Sequence, residues 1–554
     1  MDIVTRSMIV SGSKSHANLT HLRETVESLW TAVVLAFVLR AFMVEAFVIP
    51  TGSMAPRLLG EHWRLTCPAC GWEYDYGFMP ERADQPRIDR ATRHVPPSAR
   101  CPNCSKGYDG PAGYVNGGDR VLVLKYLYRF SGPKPWDVVV FRNPQNNQEN
   151  YIKRLIGLPG ETLEILRGDI FVADTPEGPR RIRRKPSRAQ SAMWQIVYDN
   201  NYKPQQYWLG RGLAPQWVAQ DPGLWNLTGS MGRRMIYLGG DETDAGAPAV
   251  LELQAQRQHF LPSYGYNVPH IEDRMIDSER DVCTDLKLSV VFMPQSPAGR
   301  VALHLSSFEH FFQGRLAADG QAELLYKHAD WPDDQWELWA GKKLGPIPAG
   351  KGAELSLEHV DLGVVLRVDG EIVLEKIDGY PEDYESIKDR MYRRAPQPVP
   401  TPQVRIAVDG GGCELRHVRL YRDVYYTASP LDRLTRGPLS QFAYSLGIEG
   451  RMTGWGTAGK PITLAKHQDN PDLDEFWMLG DNSPQSLDGR AWTSAAPSLR
   501  LWNDQGEPVY QLGTVPRYNL MGKAFFVYWP GGFRMPLLPG LPVIPNVGRM
   551  RLIR

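Results

Sequence analysis

The sequence predicts a mainly β fold divided among several domains, and three observations support this. The chain has 554 residues, more than one hydrophobic core usually organises, so two to four domains are expected. Its 52 Gly and 45 Pro favour turns over long helices. Its 16 Trp and 24 Tyr belong to the residue types that are enriched in strands.

Charge and composition narrow the class of protein. The 63 Lys and Arg nearly balance the 62 Asp and Glu, and 42% of the residues are hydrophobic. These fractions are those of an ordinary globular protein. They argue against disorder and against the strongly basic surface of a nucleic-acid coat. We therefore expect no nucleic acid among the partners.

The first element is an apolar segment at residues 29–49, in which only Arg40 and Glu45 are charged. As a helix it would reach about 30 Å, enough to cross the hydrocarbon core. A buried globular helix is the alternative, but residues 29–39 lack the polar stripe that such a helix would have. No small-residue cleavage site follows, as a removable signal peptide would require. We predict a transmembrane anchor over residues 26–48, which makes the lipid bilayer a partner.

The second element is a pair of Cys-x2-Cys motifs in residues 61–113. This spacing lets a tight turn direct two thiolates at one tetrahedral ion, and two such turns complete four ligands. The residues around these cysteines resemble zinc ribbons. They predict an inserted four-cysteine ribbon that binds structural zinc, and two disulfides are the alternative. The predicted ligands are Cys67, Cys70, Cys101 and Cys104. Cys283 and Cys413 are predicted to be small buried hydrophobes.

The third element is a β-rich region over residues 176–429. Apolar residues alternate in several short segments, and Asp369-Gly370 between two of them indicates a hairpin. This pattern predicts a two-sheet sandwich. The sequence of the region resembles concanavalin-A-like jelly-roll domains. Linker-like stretches at 180–188 and 395–402 mark its seams. We expect the sandwich to bind a glycan or a protein ligand, with Trp194, Trp208, Trp217 and Trp225 either as a stacking surface or as core residues.

Several motifs with chemical potential lie outside the sandwich. Ser53 follows Pro50-Thr51-Gly52 directly after the anchor, where a small neighbour lets substrate approach a nucleophile. Lys153 lies in a predicted strand between apolar neighbours, an unusual place for a solvated charge; a surface lysine is the alternative. Further along come the segments Gly480-Asp-Asn-Ser-Pro-Gln-Ser-Leu-Asp-Gly-Arg490 and Gly522-Lys-Ala-Phe-Phe-Val-Tyr-Trp-Pro530.

In this order, and directly after an anchor, these motifs resemble the type I signal peptidases, membrane-bound serine/lysine proteases of the S26 family that remove signal peptides from exported preproteins. The resemblance implies a β catalytic core over residues 49–60, 114–175 and 430–545, with the ribbon and the sandwich as insertions and 546–554 as a tail. It implies no catalytic cofactor. It places residues 1–25 in the cytosol and the catalytic domain outside the plasma (inner) membrane.

The resemblance also assigns roles residue by residue. Ser53 would be the nucleophile and Lys153 its general base, since burial can lower the pKa of a lysine enough for it to accept a proton. Ser486 would orient the lysine amine, while Asp488 and Arg490 would form a supporting ion pair.

The remaining roles concern the substrate. Thr51 and the backbone N–H of Ser53 would form the oxyanion hole. Small pockets that accept a small-x-small cleavage motif would be lined by Phe47, Ile49, Pro50 and Ile152, for which core packing is the alternative. Gly489 departs from the serine common in the family at this position, which puts a local hydrogen bond in doubt.

Two other functions remain open at this level. A self-cleaving regulator of the repressor type also uses a Ser/Lys pair, although the anchor and the segment 480–490 argue against it. A membrane-tethered glycan- or protein-binding protein on a catalytically silent peptidase scaffold is the alternative from another class. The intact Ser53, Lys153 and Ser486 argue against it.

Overall fold

The computed structural model describes residues 23–34, 43–78, 99–110, 115–204, 217–227, 233–239, 248–255, 257–262, 266, 281–392, 398–427, 454–499, 509–531 and 545–554. Strands far outnumber helices in this part of the chain, so the mainly β prediction is confirmed. Strands and helices are numbered below in chain order.

An eight-stranded antiparallel sheet carries the motifs of the predicted catalytic core. Its strands are β1 (Val44–Val48), β4 (Arg120–Leu124), β5 (Val138–Arg142), β6 (Asn150–Gly157), β26 (Glu475–Leu479), β27 (Val515–Pro516), β28 (Leu520–Trp529) and β29 (Arg551–Leu552). Their order is β1-β4-β28-β5-β6-β26-β27, with β29 on β28. Strand β1 therefore lies at the edge, and β6 lies between β5 and β26.

The central strands are buried on both faces. Along β5, Val138 and Val140 pack into one apolar cluster, whereas Val139 and Phe141 pack into another, as the alternation of side chains along a strand requires. All four side chains are at most 2% exposed. A polar side chain on the neighbouring strand β6 consequently loses most of its contact with water.

A smaller antiparallel sheet packs beside the first. It consists of β7 (Thr162–Leu166), β8 (Asp169–Ala173), β9 (Arg181–Ile182) and β25 (Ile462–Thr463), in the order β25-β7-β8-β9. The linker predicted at 180–188 is instead ordered structure, containing β9 and the beginning of a helix. An ion pair from Arg183 to Glu161 attaches it to this sheet.

Residues 195–422 contribute two large antiparallel sheets whose inner faces share one apolar core. One sheet has the order β12-β13-β24-β15-β20-β21-β22 with β10 on β24, and the other the order β11-β14-β23-β16-β17-β18-β19. The strands are β10 (Gln195–Asp199), β11 (Trp217–Ala219), β12 (Trp225–Asn226), β13 (Met235–Tyr237), β14 (Ala249–Leu253), β15 (Leu286–Pro294), β16 (Arg300–Ser307), β17 (His310–Ala317), β18 (Gln321–His328), β19 (Glu337–Lys343), β20 (Ala353–Val360), β21 (Gly363–Val368), β22 (Glu371–Lys376), β23 (Val404–Asp409) and β24 (Cys413–Arg422).

The predicted hairpin joins β21 to β22. Asp369 and Gly370 both have positive φ, 50° and 84°, as a two-residue hairpin turn of the primed type requires. Trp217 and Trp225 are only 5% and 6% exposed and lie in the sandwich core. For these two residues the stacking surface is wrong and core packing is right, since their rings fill space between the sheets.

Of the other two tryptophans in that prediction, the structure describes only Trp194. Trp194 lies at the rim of a polar cleft of about 340 Å³ on the outer face of one sheet, and Trp208 lies outside the described residues. The seam predicted at 395–402 is partly outside them as well. The glycan or protein ligand of the sandwich stays a prediction.

The described residues also contain four α-helices: α1 (23–34), α2 (Leu127–Phe130), α3 (Ser187–Met193) and α4 (Tyr384–Tyr392). No helix within the described ranges is long and apolar enough to cross a membrane. Residues 35–42 of the predicted anchor lie outside those ranges.

The C-terminal part of the predicted anchor is wrong, because residues 44–48 form β1 rather than helix. Phe47 pairs with Val121 of β4 and packs with Ile49 against the core cluster. Pairing and alternate burial, which are tertiary effects, override the local resemblance to an apolar helix.

Candidate active site

The turn that carries Ser53 follows β1 directly. Residues Gly52–Met54 form one short 3-10 turn, closed by a hydrogen bond from the Ala55 N–H to the Gly52 carbonyl at 3.0 Å. The Ile49 N–H donates to the Asp119 carbonyl at 2.9 Å, which attaches the start of this loop to the segment before β4. Ser53 is 6% exposed. The serine is therefore held by backbone bonds at the edge of the core.

Lys153 reaches this turn from β6. Its Nζ donates to Ser53 Oγ at 2.6 Å, and its side chain is buried, with 3% exposure. Nζ also lies 5.1 Å from the centre of the Tyr151 ring. Two residues that are a hundred positions apart thus meet in a water-poor site, as the pairing of a nucleophile with a base requires.

The environment of Lys153 favours its neutral form. The pKa of the amine is lowered to about 8, chiefly by burial, with Asp488 and Asp481 opposing the shift and Arg490 adding to it. Burial has the largest effect because it removes the water that would solvate the charged amine. About a tenth of the amine is consequently unprotonated at pH 7, against well under a thousandth for a lysine with an ordinary pKa.

Asp488 and Arg490 form a fully buried ion pair in the loop after β26. Arg490 Nε and Nη2 donate to the two carboxylate oxygens at 2.9 and 2.7 Å, and both side chains are 0% exposed. Arg490 Nη1 also donates to the Thr427 carbonyl at 2.7 Å, and Asp488 accepts from the Gly480 N–H at 3.0 Å. The pair therefore shapes the loop and does not touch the reacting serine.

Ser486 does not make the hydrogen bond to Lys153 that was expected from the resemblance. Its Oγ is buried and has no hydrogen-bond partner among the described residues. A Cβ placed on Gly480 would lie 2.2 Å from Ser486 Oγ and 2.5 Å from the Ser53 carbonyl oxygen. Ser486 thus packs over Gly480, next to the nucleophile, while the amine is directed at Ser53.

The residues predicted to contact substrate lie in different environments. Thr51 is exposed, and its hydroxyl does not cap the turn that follows, so it is accessible as a donor. Phe47 and Ile152 are partly buried against the cluster that contains Ile49, and Pro50 is exposed. Ile49 is 2% exposed, so for this residue core packing, the alternative, describes the structure.

Steric crowding explains why position 489 is glycine and not the serine common in the family. A Cβ there would lie 2.6 Å from the indole of Trp477 and 2.7 Å from the Gly513 carbonyl oxygen. A serine would overlap both neighbours, so the departure from the family pattern matches the packing of Trp477, which is itself 0% exposed.

Sequence reasoning missed three supports of the site. Arg154 forms a bidentate pair with Asp481 at 2.7 and 2.6 Å, fully buried beside the dyad. Asn482 donates from its backbone to the Ser53 carbonyl at 3.0 Å and from its side chain to the Gly52 carbonyl at 2.9 Å. A charged residue next to Lys153 in an apolar strand was the available signal for Arg154.

Asp119 is the third support. Its carboxylate accepts from the Leu59 N–H at 3.0 Å and from the Gly531 N–H at 2.8 Å, and it is 1% exposed. It therefore joins the end of the nucleophile loop to the chain after β28. The signal in the sequence was an acidic residue immediately before an apolar strand.

The four predicted metal ligands come together next to a two-stranded sheet, β2 (His62–Thr66) and β3 (Glu73–Gly77). The sulfur atoms of Cys67 and Cys104 lie 3.6 Å apart, as do those of Cys70 and Cys101. Four thiolates at about 2.3 Å from a tetrahedral zinc would be about 3.8 Å apart, whereas disulfide sulfurs are separated by about 2.05 Å. All four cysteines are free, so the arrangement fits a metal and not the disulfide alternative.

Replacing Cys101 with serine is expected to release the metal and loosen the ribbon, because three thiolates bind zinc far more weakly than four. Elemental analysis of the purified protein should give about one zinc per chain for the parent and markedly less for Cys101→Ser. Cys283→Ser is the matched control, since Cys283 is buried elsewhere. A parent protein without metal would contradict the ribbon prediction.

Comparison with known proteins finds a matching family model and several similar relatives. The family model described as "Signal peptidase, peptidase S26" matches residues 112–212 and 457–529. These segments contain Lys153 and the 480–490 loop but not Ser53. Similar relatives include "Signal peptidase I" of Rickettsia bellii (strain OSU 85-389), 26% identical over 30% of this chain and 45% of that protein. Another is "Signal peptidase I" of Leptolyngbya laminosa, 29% identical over 18% of this chain and 60% of that protein.

The chain thus spans about half the length of the curated relatives it matches. Among solved structures, the carbohydrate-binding module CBM66 from Bacillus subtilis has 12% identity and a TM-score of 0.22, covering 37% of this chain and 94% of that one. Galectin LEC-6 from Caenorhabditis elegans has 15% identity and a TM-score of 0.16, covering 25% and 82%. Likenesses this weak carry no conclusion about the ligand of the sandwich.

Proposed function

We propose that this chain, which matches the signal peptidase S26 family model over residues 112–212 and 457–529, is a type I signal peptidase that removes signal peptides from exported preproteins. The observation that carries the proposal is the 2.6 Å contact between Lys153 Nζ and Ser53 Oγ in a buried site. A catalytically silent scaffold is disfavoured, since its residues would have no reason to keep a desolvated lysine on a serine hydroxyl.

In the proposed reaction, the neutral Lys153 amine accepts the proton of Ser53 as Oγ attacks the scissile carbonyl carbon. The tetrahedral intermediate carries its charge on the former carbonyl oxygen, which the Ser53 N–H and the Thr51 hydroxyl stabilise by donating hydrogen bonds. The Lys153 ammonium then gives its proton to the leaving amine, and an acyl-enzyme forms on Ser53. Lys153 next takes a proton from a water molecule that attacks the acyl carbon. When the bond from this carbon to Oγ breaks, Lys153 returns the proton to Ser53 Oγ and the product leaves with its new carboxyl group.

The substrate would bind as an extended strand. Strand β1 is an edge strand, with β4 on one side, and a peptide can add to such an edge through backbone hydrogen bonds. Phe47, Pro50 and Ile152 would then border the pockets for the small residues of the small-x-small motif. Ser486, buried beside Ser53 with an unpaired hydroxyl, would become a partner of Lys153 once Ser53 is acylated.

For localisation we propose a single-pass protein of the plasma (inner) membrane, with the N-terminus in the cytosol and the catalytic domain outside. The apolar residues 29–43 directly precede the edge strand that is proposed to receive substrate. A signal peptide that leaves the bilayer would therefore meet the active site at membrane depth.

Cleavage of a synthetic preprotein by the detergent-solubilised protein tests this function, and its pH dependence tests the base. Protonated Lys153 cannot accept a proton, so kcat/KM should rise with pH through about 8, roughly 50- to 100-fold between pH 6 and pH 9. Mass spectrometry of the products should locate the cut after a small-x-small motif. Absence of cleavage by folded protein would contradict the function, and a rate independent of pH over this interval would contradict Lys153 as the base.

A further inference from the structure

We infer that Tyr266, from the inserted region 176–429, is a positioning residue for the nucleophile, so that the insertion forms part of the active site. This inference rests on the proposed peptidase function and extends it to a residue outside the segments that match the family model. Tyr266 is a buried aromatic residue that has no role in the proposed reaction.

The ring of Tyr266 packs directly on the nucleophile turn. A Cβ built on Gly52, the residue before Ser53, would lie 2.8 Å from both Cε1 and Oη of Tyr266. Real Cβ atoms do not approach this closely, so the absence of a side chain at Gly52 is what lets the ring sit there. Tyr266 also forms a small apolar cluster with Ala55 and Leu59, which lie in the same loop.

The same edge of the ring also contacts the four-cysteine ribbon. The Gly77 N–H at the end of β3 donates to the Tyr266 carbonyl at 2.8 Å. A Cβ on Gly77 would lie 2.7 Å from Tyr266 Cε1. Both the backbone and the ring of Tyr266 thus contact the ribbon, and the ring atom Cε1 lies close to both Gly77 and the serine turn.

The hydroxyl of Tyr266 packs beside Gly52 together with the ring edge but forms no hydrogen bond there. Tyr266 is 6% exposed, and its Oη has no hydrogen-bond partner among the residues that the structure describes. Removal of the hydroxyl should therefore change little, whereas removal of the ring should leave an unfilled space beside Gly52.

This space would affect Ser53 because the ring packs against the residue that precedes it. Asn482 donates to the carbonyls of Gly52 and Ser53, whereas the ring of Tyr266 fills the space on the side where Gly52 has no Cβ. The bond from Lys153 Nζ to Ser53 Oγ is 2.6 Å long, so a small shift of the turn misaligns the dyad. Misplacement of a reacting group by about 1 Å can cost about 10²-fold in rate.

The test compares cleavage of the synthetic preprotein by the full chain and its variants. Tyr266→Ala should lower kcat by roughly 10- to 100-fold, with KM changed less than about threefold. Tyr266→Phe should retain activity within about threefold of the parent. Tyr237→Ala, which removes a similarly buried ring from the sandwich core, is the matched control and should leave kcat within the same threefold.

A double-mutant cycle makes the test independent of general destabilisation. Gly52→Ala alone should lower kcat because the new methyl group overlaps the ring. In Gly52→Ala/Tyr266→Ala the ring is absent, so the second change should add little to the loss caused by Tyr266→Ala. If Tyr266→Ala fails to fold, Gly52→Ala combined with Tyr266→Leu supplies the same comparison.

The outcomes separate this inference from the proposed function. An active parent with unchanged kcat in Tyr266→Ala overturns the inference alone, as does an equal loss in Tyr237→Ala or a loss in Tyr266→Phe that matches Tyr266→Ala. Additive losses in the cycle also overturn it. A folded parent with no cleavage activity overturns the proposed function and the inference together.

Discussion

Replacement of Lys153 with methionine is expected to lower kcat/KM for preprotein cleavage by on the order of 10⁴-fold or more. Methionine preserves the length and apolar packing of the side chain but cannot accept the proton of Ser53. Ser53→Ala should cost about as much, and the double variant should cost little more, since the two residues act as one unit. Cleavage is measured on gels and by mass spectrometry at pH 8 to 9.

The matched control is Lys523→Met. Lys523 lies on β28 in the same sheet and pairs with Asp137, so its loss removes a lysine but no catalytic group. Its activity should stay within about threefold of the parent, and the far-UV circular dichroism of all variants should be unchanged. Substantial residual cleavage in Ser53→Ala or Lys153→Met would exclude the dyad mechanism.

Replacement of Arg490 with methionine should destabilise the catalytic core by about 3–5 kcal/mol. Asp488 would remain buried at 0% exposure without its counter-charge, and the Thr427 carbonyl would lose its donor. Urea unfolding followed by tryptophan fluorescence should therefore show a transition at lower urea concentration, with Trp477 and Trp492 of the core as buried reporters.

The exposed pair Arg181–Asp174 provides the comparison. Its side chains are 57% and 74% exposed, so water screens the interaction, and Arg181→Met should leave the transition unchanged. If Arg490→Met unfolded at the same urea concentration as the parent, the ion pair between Asp488 and Arg490 would not stabilise the catalytic core.

Much of the scaffold was predictable because its signals are local. Alternating apolar residues around Leu286 and the Asp369-Gly370 turn predicted strands and a hairpin that the structure contains. The pairs of closely spaced cysteines predicted a common site, and their sulfur atoms lie within reach of one ion. In each case the residues that predict the strand, turn or metal site are the same residues that form it.

Other predictions failed where a distant segment decided the outcome. Residues 44–48 form a strand because β4 pairs with them, which an apolar pattern alone does not reveal. Trp217 and Trp225 pack in a core that only the closing of two sheets creates. The hydroxyl of Ser486 is near the nucleophile but does not bond to Lys153. Its position is set by the packing of the Ser486 side chain over Gly480, which no local pattern reveals.

By itself, the sequence determined the chemistry available to this protein: a serine beside glycine, a lysine in an apolar strand, four paired cysteines and a β-rich insertion. The family resemblance already paired Ser53 with Lys153, but the tertiary structure alone decided what supports the pair. It buried Arg154 with Asp481 and set Tyr266 against Gly52. The physical reason is that burial and contact depend on segments hundreds of residues apart, whereas local residue patterns record only what each segment can do.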